Sequence, residues 1–553
     1  MLERLKIWLC SDRGWCVTGY TVATLTVVAA IGCMGYSVPK PLIGPHSFRQ
    51  TQNAISSYYS VKEHGSIYNN VMPVLGKPWD LPTEFPFFQY AAGFLHWVSG
   101  LPLDAVGRTL SAAFWAACVA ASVWLLRILG FSARDTWIPI IVLASSPLYL
   151  FWGATFMMET MALFFSLMFL VSATRCGQEM SVFSSKGAQA SFVVNSRFLI
   201  WFVFSAAMGV IASVQKGSTW VIAYGIAILL SGWHSRHLNG REAILRNLWI
   251  VPLFVVPYAV ARAWLEYGDS LKRLNPFARD MFVFGNPAFR NWNYGTWEQK
   301  VDPQTWSGIF MHMRQEIFVS IPPFDHLALL VCLGACAVCA RRYLPLMTIF
   351  GIGFIAGPLM FTNLFYVHNY YLSATGLWLL LAVSIGLMGL AARSQEALWP
   401  RLVSAAVTCA IGVAGFVAWT TTCLPVLAAM PTHQQLRDSW TTPVQSRVPD
   451  RRTLLVVGND WNPIALYYAE RKGIAWPDNM LGEFPGTRLA ESITLLSKEE
   501  AIGGVVFDNR LLTEVNQPAI AKILDQLGMV KEGVQTPFGA LFVAADLSPS
   551  KHD

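Results

Sequence analysis

Apolar runs of about 20 residues recur along most of this 553-residue chain, and they constrain its fold more than any other feature. A run of that length spans the roughly 30 Å hydrocarbon core of a bilayer as an α-helix. Hydrophobic residues make up 54% of the chain and charged residues only 13%, about half the share usual in soluble domains. The sequence therefore predicts a polytopic α-helical membrane protein.

The positions of lysine and arginine set the expected topology, because these residues concentrate in cytoplasmic loops. The segment 85–101 is short and contains an early proline, so we expect it to lie in the membrane interface without crossing. With that assignment the basic residues fall on one side, the N-terminus is cytoplasmic, and the net charge of +7 requires no nucleic acid. The eleven predicted spans are 17–36, 105–126, 136–152, 160–174, 198–214, 218–232, 248–265, 327–340, 344–361, 370–390 and 402–423.

The composition changes after the last span. Predicted strands at 454–458, 503–508 and 540–545 alternate with predicted helices at 464–472 and 519–527, and such alternation is typical of a small α/β domain. We therefore expect a transmembrane domain, 1–423, and an external α/β domain, 424–553. The transmembrane domain would carry two large external loops, 37–104 with juxtamembrane helices and 266–323.

This topology brings ionisable residues to the outer membrane surface, beside the polar stretch GPHSFRQTQNAISSYY at 44–59. Charged residues gathered at one depth of a membrane protein indicate a functional site. The alternative is that each side chain caps a helix end among the lipid headgroups. The residues concerned are His46, Arg49, Glu84, Glu159, Lys216 and His368.

Five short motifs occur in a fixed order along these outer segments: HSFRQ, EFPFFQY, FMMET, VQKGST and HNYYLSATG. Their order and sidedness resemble the GT-C glycosyltransferases that use polyprenyl-phosphate sugars, in the aminoarabinose-lipid A transferase and protein O-mannosyltransferase branch. Two positions differ from that branch. The acid that opens its first external loop is His46 here, and the lysine of its juxtamembrane motif is Glu84, so the usual catalytic aspartate has no counterpart.

The resemblance implies an integral membrane glycosyltransferase. It would move a sugar from a polyprenyl-phosphate donor, such as an undecaprenyl phosphate sugar, to an envelope lipid, glycan or protein. The reaction would take place on the outer face of the bacterial inner membrane, with the C-terminal domain in the periplasm. A transporter or flippase of a lipid-linked sugar is the alternative, although we find neither an inverted repeat nor charged midplane helices.

The leaving phosphate of such a donor needs cationic or hydrogen-bonding stabilisation. Arg49 supplies a planar fork suited to phosphate, and Lys216 supplies a compact second charge. Four further residues are predicted to bind the phosphate or the sugar of the donor: Gln50, His368, Tyr370 and Tyr371. The two tyrosines can donate hydrogen bonds or stack on a face of the sugar.

The acceptor hydroxyl needs a general base. Glu84 is the first candidate, because phenylalanines adjoin it and desolvation should raise its pKa. His46 is the second candidate, and Glu159 joins the predicted catalytic set. Two alternatives stay open: a salt bridge to Arg49 that only organises the loop, and a divalent cation shared by Glu84 and Glu159.

Overall fold

The computed structural model describes residues 11–68, 70–183, 191–193, 195–317, 341–392, 399–477, 481–482 and 486–547. The chain divides into two compact units. The first comprises Met1–Ser37, Thr109–Ala263 and Asn291–Pro425, and the second comprises Val38–Arg108, Trp264–Arg290 and Val426–Asp553. The second unit therefore combines most of the first predicted external loop, part of the second predicted external loop and the C-terminal segment.

Eight helices are long and apolar enough to cross a membrane within the described residues. The chain is a multi-pass α-helical membrane protein, as the apolar runs predict. The eight candidates are Asp12–Ser37, Leu103–Ile128, Glu159–Glu179, Ser196–His234, Gly240–Lys272, Arg341–Met360, Asn369–Ala392 and Trp399–Gln445.

This count is compatible with the eleven predicted spans. The backbone of Ser196–His234 leaves the helical conformation at Lys216, so this segment consists of two helices that match two predicted spans. The predicted span 136–152 forms two shorter helices, Trp137–Ala144 and Pro147–Trp152. The predicted span 327–340 lies outside the described residues.

The first unit is organised around a buried helix, Leu372–Ala392, whose residues are all buried except the last. It packs against Leu344–Met360, Trp399–Ala418 and Trp137–Ala144. A helix that is apolar on every side is either buried among other helices or exposed to lipid, and here it is buried. Glu159–Glu179 packs along Ser196–His234 in the same unit.

Shorter elements complete the first unit. Strands β1, Ser181–Phe183, and β2, Ser191–Val193, pair antiparallel. The remaining α-helices in or bordering this unit are Gly240–Asn247, Pro252–Lys272, Pro287–Tyr294, Trp297–Val301, Pro303–Glu316 and Thr362–Val367.

The predicted interfacial segment forms the helix Phe87–Ser99 in the second unit. Its 13 residues extend about 20 Å, which is less than the roughly 30 Å hydrocarbon core. Its exposed residues include Phe94, Trp97 and Val98. The helix is therefore too short to span a bilayer, and its position in the interface stays a prediction.

The C-terminal segment contains a five-stranded mixed sheet, so the α/β prediction is confirmed. The strand order is β4-β3-β5-β7-β6; β3 pairs parallel with β4 and β5, whereas β7 pairs antiparallel with β5 and β6. The strands are β3 Thr453–Val457, β4 Gly473–Trp476, β5 Ile502–Phe507, β6 Val534–Thr536 and β7 Gly539–Val543. The other α-helices of this unit and its border are Ser47–Lys62, Ala278–Met281, Leu424–Ala428, His433–Leu436, Thr442–Gln445, Ile464–Ala469, Thr487–Thr494 and Gln517–Gln526.

The first predicted external loop covers the outer edge of β4. The backbone N–H of Gly473 donates to the Pro73 carbonyl at 3.0 Å, and the N–H of Ala475 donates to the Val74 carbonyl at 2.7 Å. An uncovered strand edge is a template for unwanted pairing, and the loop removes it here. The loop and the C-terminal segment thus fold together, whereas the side of the membrane on which they lie stays a prediction.

Candidate functional site

Lys216 lies where two helices of the first unit meet. Its backbone torsions, φ −160° and ψ 88°, interrupt the helical conformation. Its side chain is only 6% exposed and forms an ion pair with Oε1 of Glu159, which is itself 3% exposed. Glu159 is the first residue of Glu159–Glu179, where the positive end of the helix dipole favours a carboxylate. Pairing offsets the large cost of burying each charge alone.

Two tyrosine rings lie beside the ammonium group of Lys216. Nζ is 4.4 Å from the ring centroid of Tyr371 and 5.5 Å from that of Tyr370. The two rings stack at 4.5 Å, and the His368 ring lies 5.4 Å from that of Tyr370. These distances allow cation–π attraction. The fold therefore brings together the predicted site residues of the first unit, and we call Glu159, Lys216, His368, Tyr370 and Tyr371 the lysine cluster.

The lysine cluster retains capacity for further hydrogen bonds. Oε2 of Glu159 and Oε1 of Gln215 are both buried, and neither has a hydrogen-bond partner among the described residues. Gln215 Nε2 donates to the sulfur of Met158 at 3.4 Å. An ammonium group has three donors, and one of those on Lys216 serves Glu159. The cluster can therefore bind a polar or anionic group without giving up its internal ion pair.

Glu316 is a residue of this region that the sequence analysis missed. Its Oε2 accepts a hydrogen bond from Trp152 Nε1 at 2.8 Å, and its Oε1 accepts from Asn369 Nδ2. The Trp152 ring lies 6.1 Å from that of Tyr370. Desolvation raises the pKa of the Glu316 carboxyl, and the hydrogen bonds from Trp152 and Asn369 limit this rise. A carboxyl with a raised pKa in such surroundings is typical of functional sites.

A second group of predicted residues lies within the second unit, at the start of helix Ser47–Lys62. Arg49 forms an ion pair with Oε1 of Glu84 and donates to Gln52 Oε1 at 3.4 Å. Thr83 donates to Oε2 of Glu84 at 2.6 Å. The Glu84 side chain is 24% exposed, so its surroundings are more polar than its phenylalanine neighbours predict. The salt bridge foreseen as an alternative is present, and the general-base role of Glu84 stays a prediction.

The turn before this helix positions His46 and Gln50. His46 adopts the left-handed conformation with φ 50°, and its carbonyl accepts from the N–H groups of Arg49 and Gln50. The amide of Gln50 donates to the Pro45 carbonyl at 3.1 Å. The start of this helix therefore places His46, Arg49 and Gln50 together, and the ion pair of Arg49 adds Glu84. We call His46, Arg49, Gln50 and Glu84 the arginine cluster.

The predicted cation shared by Glu84 and Glu159 receives no direct support from these contacts. Each carboxylate pairs with a basic side chain of its own unit, Arg49 or Lys216. Among the described residues, no group of three or more histidine, cysteine, aspartate or glutamate side chains could hold a metal ion. A divalent cation stays an open prediction.

Comparison with known proteins identifies the fold. No family model and no curated protein matches the sequence. ArnT from Cupriavidus metallidurans, solved bound to undecaprenyl phosphate, matches with a TM-score of 0.57 and 13% identity, over 98% of this chain and 100% of that chain. The chain has a GT-C fold.

Two further GT-C structures are similar to this chain. The archaeal oligosaccharyltransferase AglB from Archaeoglobus fulgidus, solved with an inhibitory peptide and a dolichol-phosphate, has a TM-score of 0.53 and 12% identity, over 96% of this chain and 75% of that chain. The arabinofuranosyltransferase AftD from Mycobacteria has a TM-score of 0.51 and 14% identity, over 98% of this chain and 40% of that chain. The resemblance inferred from the order of the motifs is thus confirmed at the level of the fold.

Proposed function

We propose that this protein is a membrane glycosyltransferase that moves a sugar from a polyprenyl-phosphate donor to an envelope lipid, glycan or protein. The observation that carries the proposal is the likeness over 98% of the chain to ArnT, whose structure contains undecaprenyl phosphate. AglB, which matches over 96% of the chain, was solved with a dolichol-phosphate. A polyprenyl phosphate is the group that such donors release.

The lysine cluster supports a role in stabilising the leaving group. Transfer breaks the bond between the anomeric carbon and the phosphate oxygen, and negative charge then grows on the phosphate. Lys216 would donate its remaining N–H groups to this phosphate while Glu159 holds the ammonium in place. A buried, fixed cation stabilises such charge more strongly than a solvated one, because it needs no reorganisation during the reaction.

Tyr370 and Tyr371 would bind the sugar of the donor. Their stacked rings offer apolar surface, and their hydroxyl groups can donate hydrogen bonds. His368 and Trp152 extend this aromatic wall. Glu316 would act as a positioning residue, because its carboxylate fixes the orientation of Trp152 and Asn369.

The arginine cluster would supply a second set of donor contacts and the general base. Arg49 has a planar guanidinium suited to phosphate oxygens, and Gln50 would bind the sugar. Glu84 would accept the proton of the acceptor hydroxyl as that oxygen attacks the anomeric carbon. This step requires that substrate binding loosen the contact of Glu84 with Arg49 or Thr83. His46 is the second candidate for the same task.

The reaction would take place on the outer face of the bacterial inner membrane. The arginine and lysine distribution supports a cytoplasmic N-terminus and a periplasmic second unit. The acceptor would then be an envelope component that is reached from the periplasm.

The fate of the donor tests this function against the flippase alternative. The purified protein would be reconstituted in liposomes with undecaprenyl phosphate carrying a radiolabelled hexose or pentose, and detergent-extracted envelope would serve as acceptor. We expect labelled sugar in the acceptor together with an equal amount of released undecaprenyl phosphate. Intact donor that has only changed leaflet would contradict the proposal and favour a flippase.

A further inference from the structure

The second unit contains a cavity that the transfer reaction described above does not use. It has a volume of about 430 Å³ and is lined mainly by Glu63, Lys77, Trp79 and Asp80, with Val71 and Pro78 completing the wall. Small-molecule sites in proteins usually have volumes of roughly 300–1,000 Å³. The cavity is therefore large enough to hold a small ligand.

The cavity wall is held in a fixed conformation. The wall residues 77–80 follow shortly after the loop residues that pair with β4, among which Leu75 is opposite Ile474. The side-chain amide of Asn275, which is fully buried, donates to the carbonyls of Gly76 at 3.0 Å and Pro78 at 3.3 Å. Buried hydrogen bonds of this kind are costly to break. The site is thus preformed, which lowers the entropic cost of binding.

Charges of both signs surround the cavity. Lys472 pairs with Glu63 at 2.5 Å, and Lys77 pairs with Glu500 at 2.5 Å. The ammonium of Lys472 also lies 5.5 Å from the ring centroid of Trp79. Each of these lysines is neutralised by its own carboxylate partner, so the wall offers no unpaired cation to a phosphate, which the carboxylates would repel.

Asp80 differs from the other charged residues of the wall. Its side chain is half-buried, and none of the described residues forms an ion pair or a side-chain hydrogen bond with it. Desolvation raises the pKa of the Asp80 carboxyl, and the nearby Lys472 opposes that rise. The carboxylate therefore has acceptor capacity that a ligand with hydroxyl groups can use.

We propose that this cavity binds a neutral saccharide unit of the acceptor. Asp80 accepts hydrogen bonds from neighbouring sugar hydroxyls. Hydrogen bonds to a charged carboxylate are stronger than those between two neutral groups. Lys77 donates to a ring or hydroxyl oxygen, and Trp79 supplies the apolar surface on which one face of a sugar rests. The identification of the sugar as part of the acceptor rests on the proposed function, whereas the binding itself does not.

Direct binding to the full-length protein in detergent tests this inference. The probes are glucose, galactose, mannose, arabinose and N-acetylglucosamine at millimolar concentration, followed by saturation-transfer NMR, with inorganic phosphate and choline as charged comparisons. We expect at least one neutral sugar to receive saturation and phosphate not to displace it. Asp80→Asn should raise the Kd of that sugar about tenfold, because a charged acceptor becomes neutral.

Asp525→Asn is the matched control, because Asp525 is exposed, pairs with Lys531 and lies in the same unit outside the cavity wall. It should leave the Kd unchanged. Thermal unfolding establishes that Asp80→Asn is folded, and Glu63→Gln provides a second variant with an expected increase in Kd. The proposal is overturned if no neutral sugar binds, if phosphate competes, or if both cavity variants bind sugar like the wild type.

The outcomes separate this inference from the proposed function. A wild-type protein that leaves the lipid donor intact contradicts the transferase function, and the NMR result then decides the cavity independently. A protein that cleaves the donor, with a KM for the acceptor that Asp80→Asn and Glu63→Gln leave unchanged, contradicts the acceptor assignment alone. The expected result is a higher KM for the acceptor in both variants, with single-turnover cleavage of bound donor unchanged.

Discussion

Lys216 interrupts the 39-residue helical segment Ser196–His234 and forms a buried ion pair with Glu159, the first residue of the adjacent helix. The helix break and the ion pair occur at the same residue. A buried ammonium needs a counterion, and the carboxylate lies at a helix end whose dipole favours its charge. The pair fixes a cation beside Tyr370 and Tyr371, and we propose that the donor phosphate binds there.

Glu159→Gln should reduce stability, because it leaves the Lys216 ammonium buried without a counterion. It should also reduce the affinity for undecaprenyl phosphate, because Glu159 holds that ammonium in place. Breaking a buried pair from one side typically costs about 3–5 kcal/mol. The measurements are the thermal unfolding midpoint in detergent and the Kd for undecaprenyl phosphate. Glu514→Gln, which changes an exposed acid, is the control. A Glu159→Gln protein with wild-type stability would contradict the structural role of this pair.

Glu84→Gln should keep donor binding and lose transfer. The substitution preserves the shape of the side chain but removes the proton acceptor, so the transfer rate should fall by about 10²–10⁴. The measurement is single-turnover transfer on the purified variant, with undecaprenyl phosphate binding as the test of an intact site. His46→Ala should cost less if the imidazole only positions the loop.

The two variants together decide between the candidate bases. A Glu84→Gln enzyme with near wild-type turnover, beside an inactive His46→Ala enzyme, would transfer the role to His46. The transfer rate of Glu84→Gln would then fall steeply below about pH 6.5, the usual pKa of histidine.

The carboxyl of Glu316 should make stability depend on pH. Burial raises its folded-state pKa above the reference value of 4.5, so the native state holds the proton more tightly than the unfolded state. The contribution of Glu316 to the free energy of unfolding is therefore fully present below pH 4.5, and it is lost as the pH rises through the folded-state pKa. We expect Glu316→Gln to reduce the fall of the unfolding midpoint with rising pH, whereas Glu514→Gln should retain it. An unchanged pH profile in Glu316→Gln would contradict this account.

Much of the fold follows from local sequence patterns. The apolar runs predict the membrane helices because each run satisfies its own backbone hydrogen bonds. The break at Lys216 is also local, since a charged residue followed by Gly217 interrupts an apolar run. Strand β4 was not predicted, because its four residues follow the charged pair Arg471 and Lys472 and become a strand only by pairing with β3 and the first loop.

The residues of the candidate site likewise fall into those that local motifs predict and one that only the tertiary fold reveals. The motifs predicted the residues of the lysine cluster and the arginine cluster, and the Arg49–Glu84 pair was foreseen as an alternative. Glu316 was missed because its partner Trp152 is 164 residues away, and nothing near Glu316 in the sequence indicates that contact. The acid in a predicted external loop was the available signal, and it gains meaning only from the tertiary fold.

Asn275→Ala should loosen the first loop against the sheet. The side chain of Asn275 holds the carbonyls of Gly76 and Pro78, and its loss leaves buried groups without partners, at a cost of about 1–3 kcal/mol. The measurement is limited proteolysis of the loop together with the unfolding midpoint. Asn516→Ala is the matched control, because within the part of the chain that the structure describes the Asn516 amide donates to one carbonyl, that of Leu511. Equal protection of the loop in both variants would contradict the bracing role of Asn275.

The topology can be tested independently of catalysis. A reporter enzyme that works only in the periplasm should be active when it is fused after Asp553, because the predicted spans place the C-terminal segment outside. Cysteines introduced at both ends of Phe87–Ser99 should react with an impermeant reagent from the same side. Labelling from opposite sides, or a reporter active only in the cytoplasm, would contradict the predicted orientation.

In the proposed reaction, Lys216 stabilises the phosphate that leaves during sugar transfer. The most direct measurement is the single-turnover release of undecaprenyl phosphate from a labelled donor by wild type, Lys216→Ala and Lys216→Arg, with the exposed Lys531→Ala as control. We expect a rate about 10²–10³-fold lower for Lys216→Ala, partial activity for Lys216→Arg and an unchanged rate for Lys531→Ala. A folded Lys216→Ala protein that releases undecaprenyl phosphate at the wild-type rate would contradict this role of Lys216.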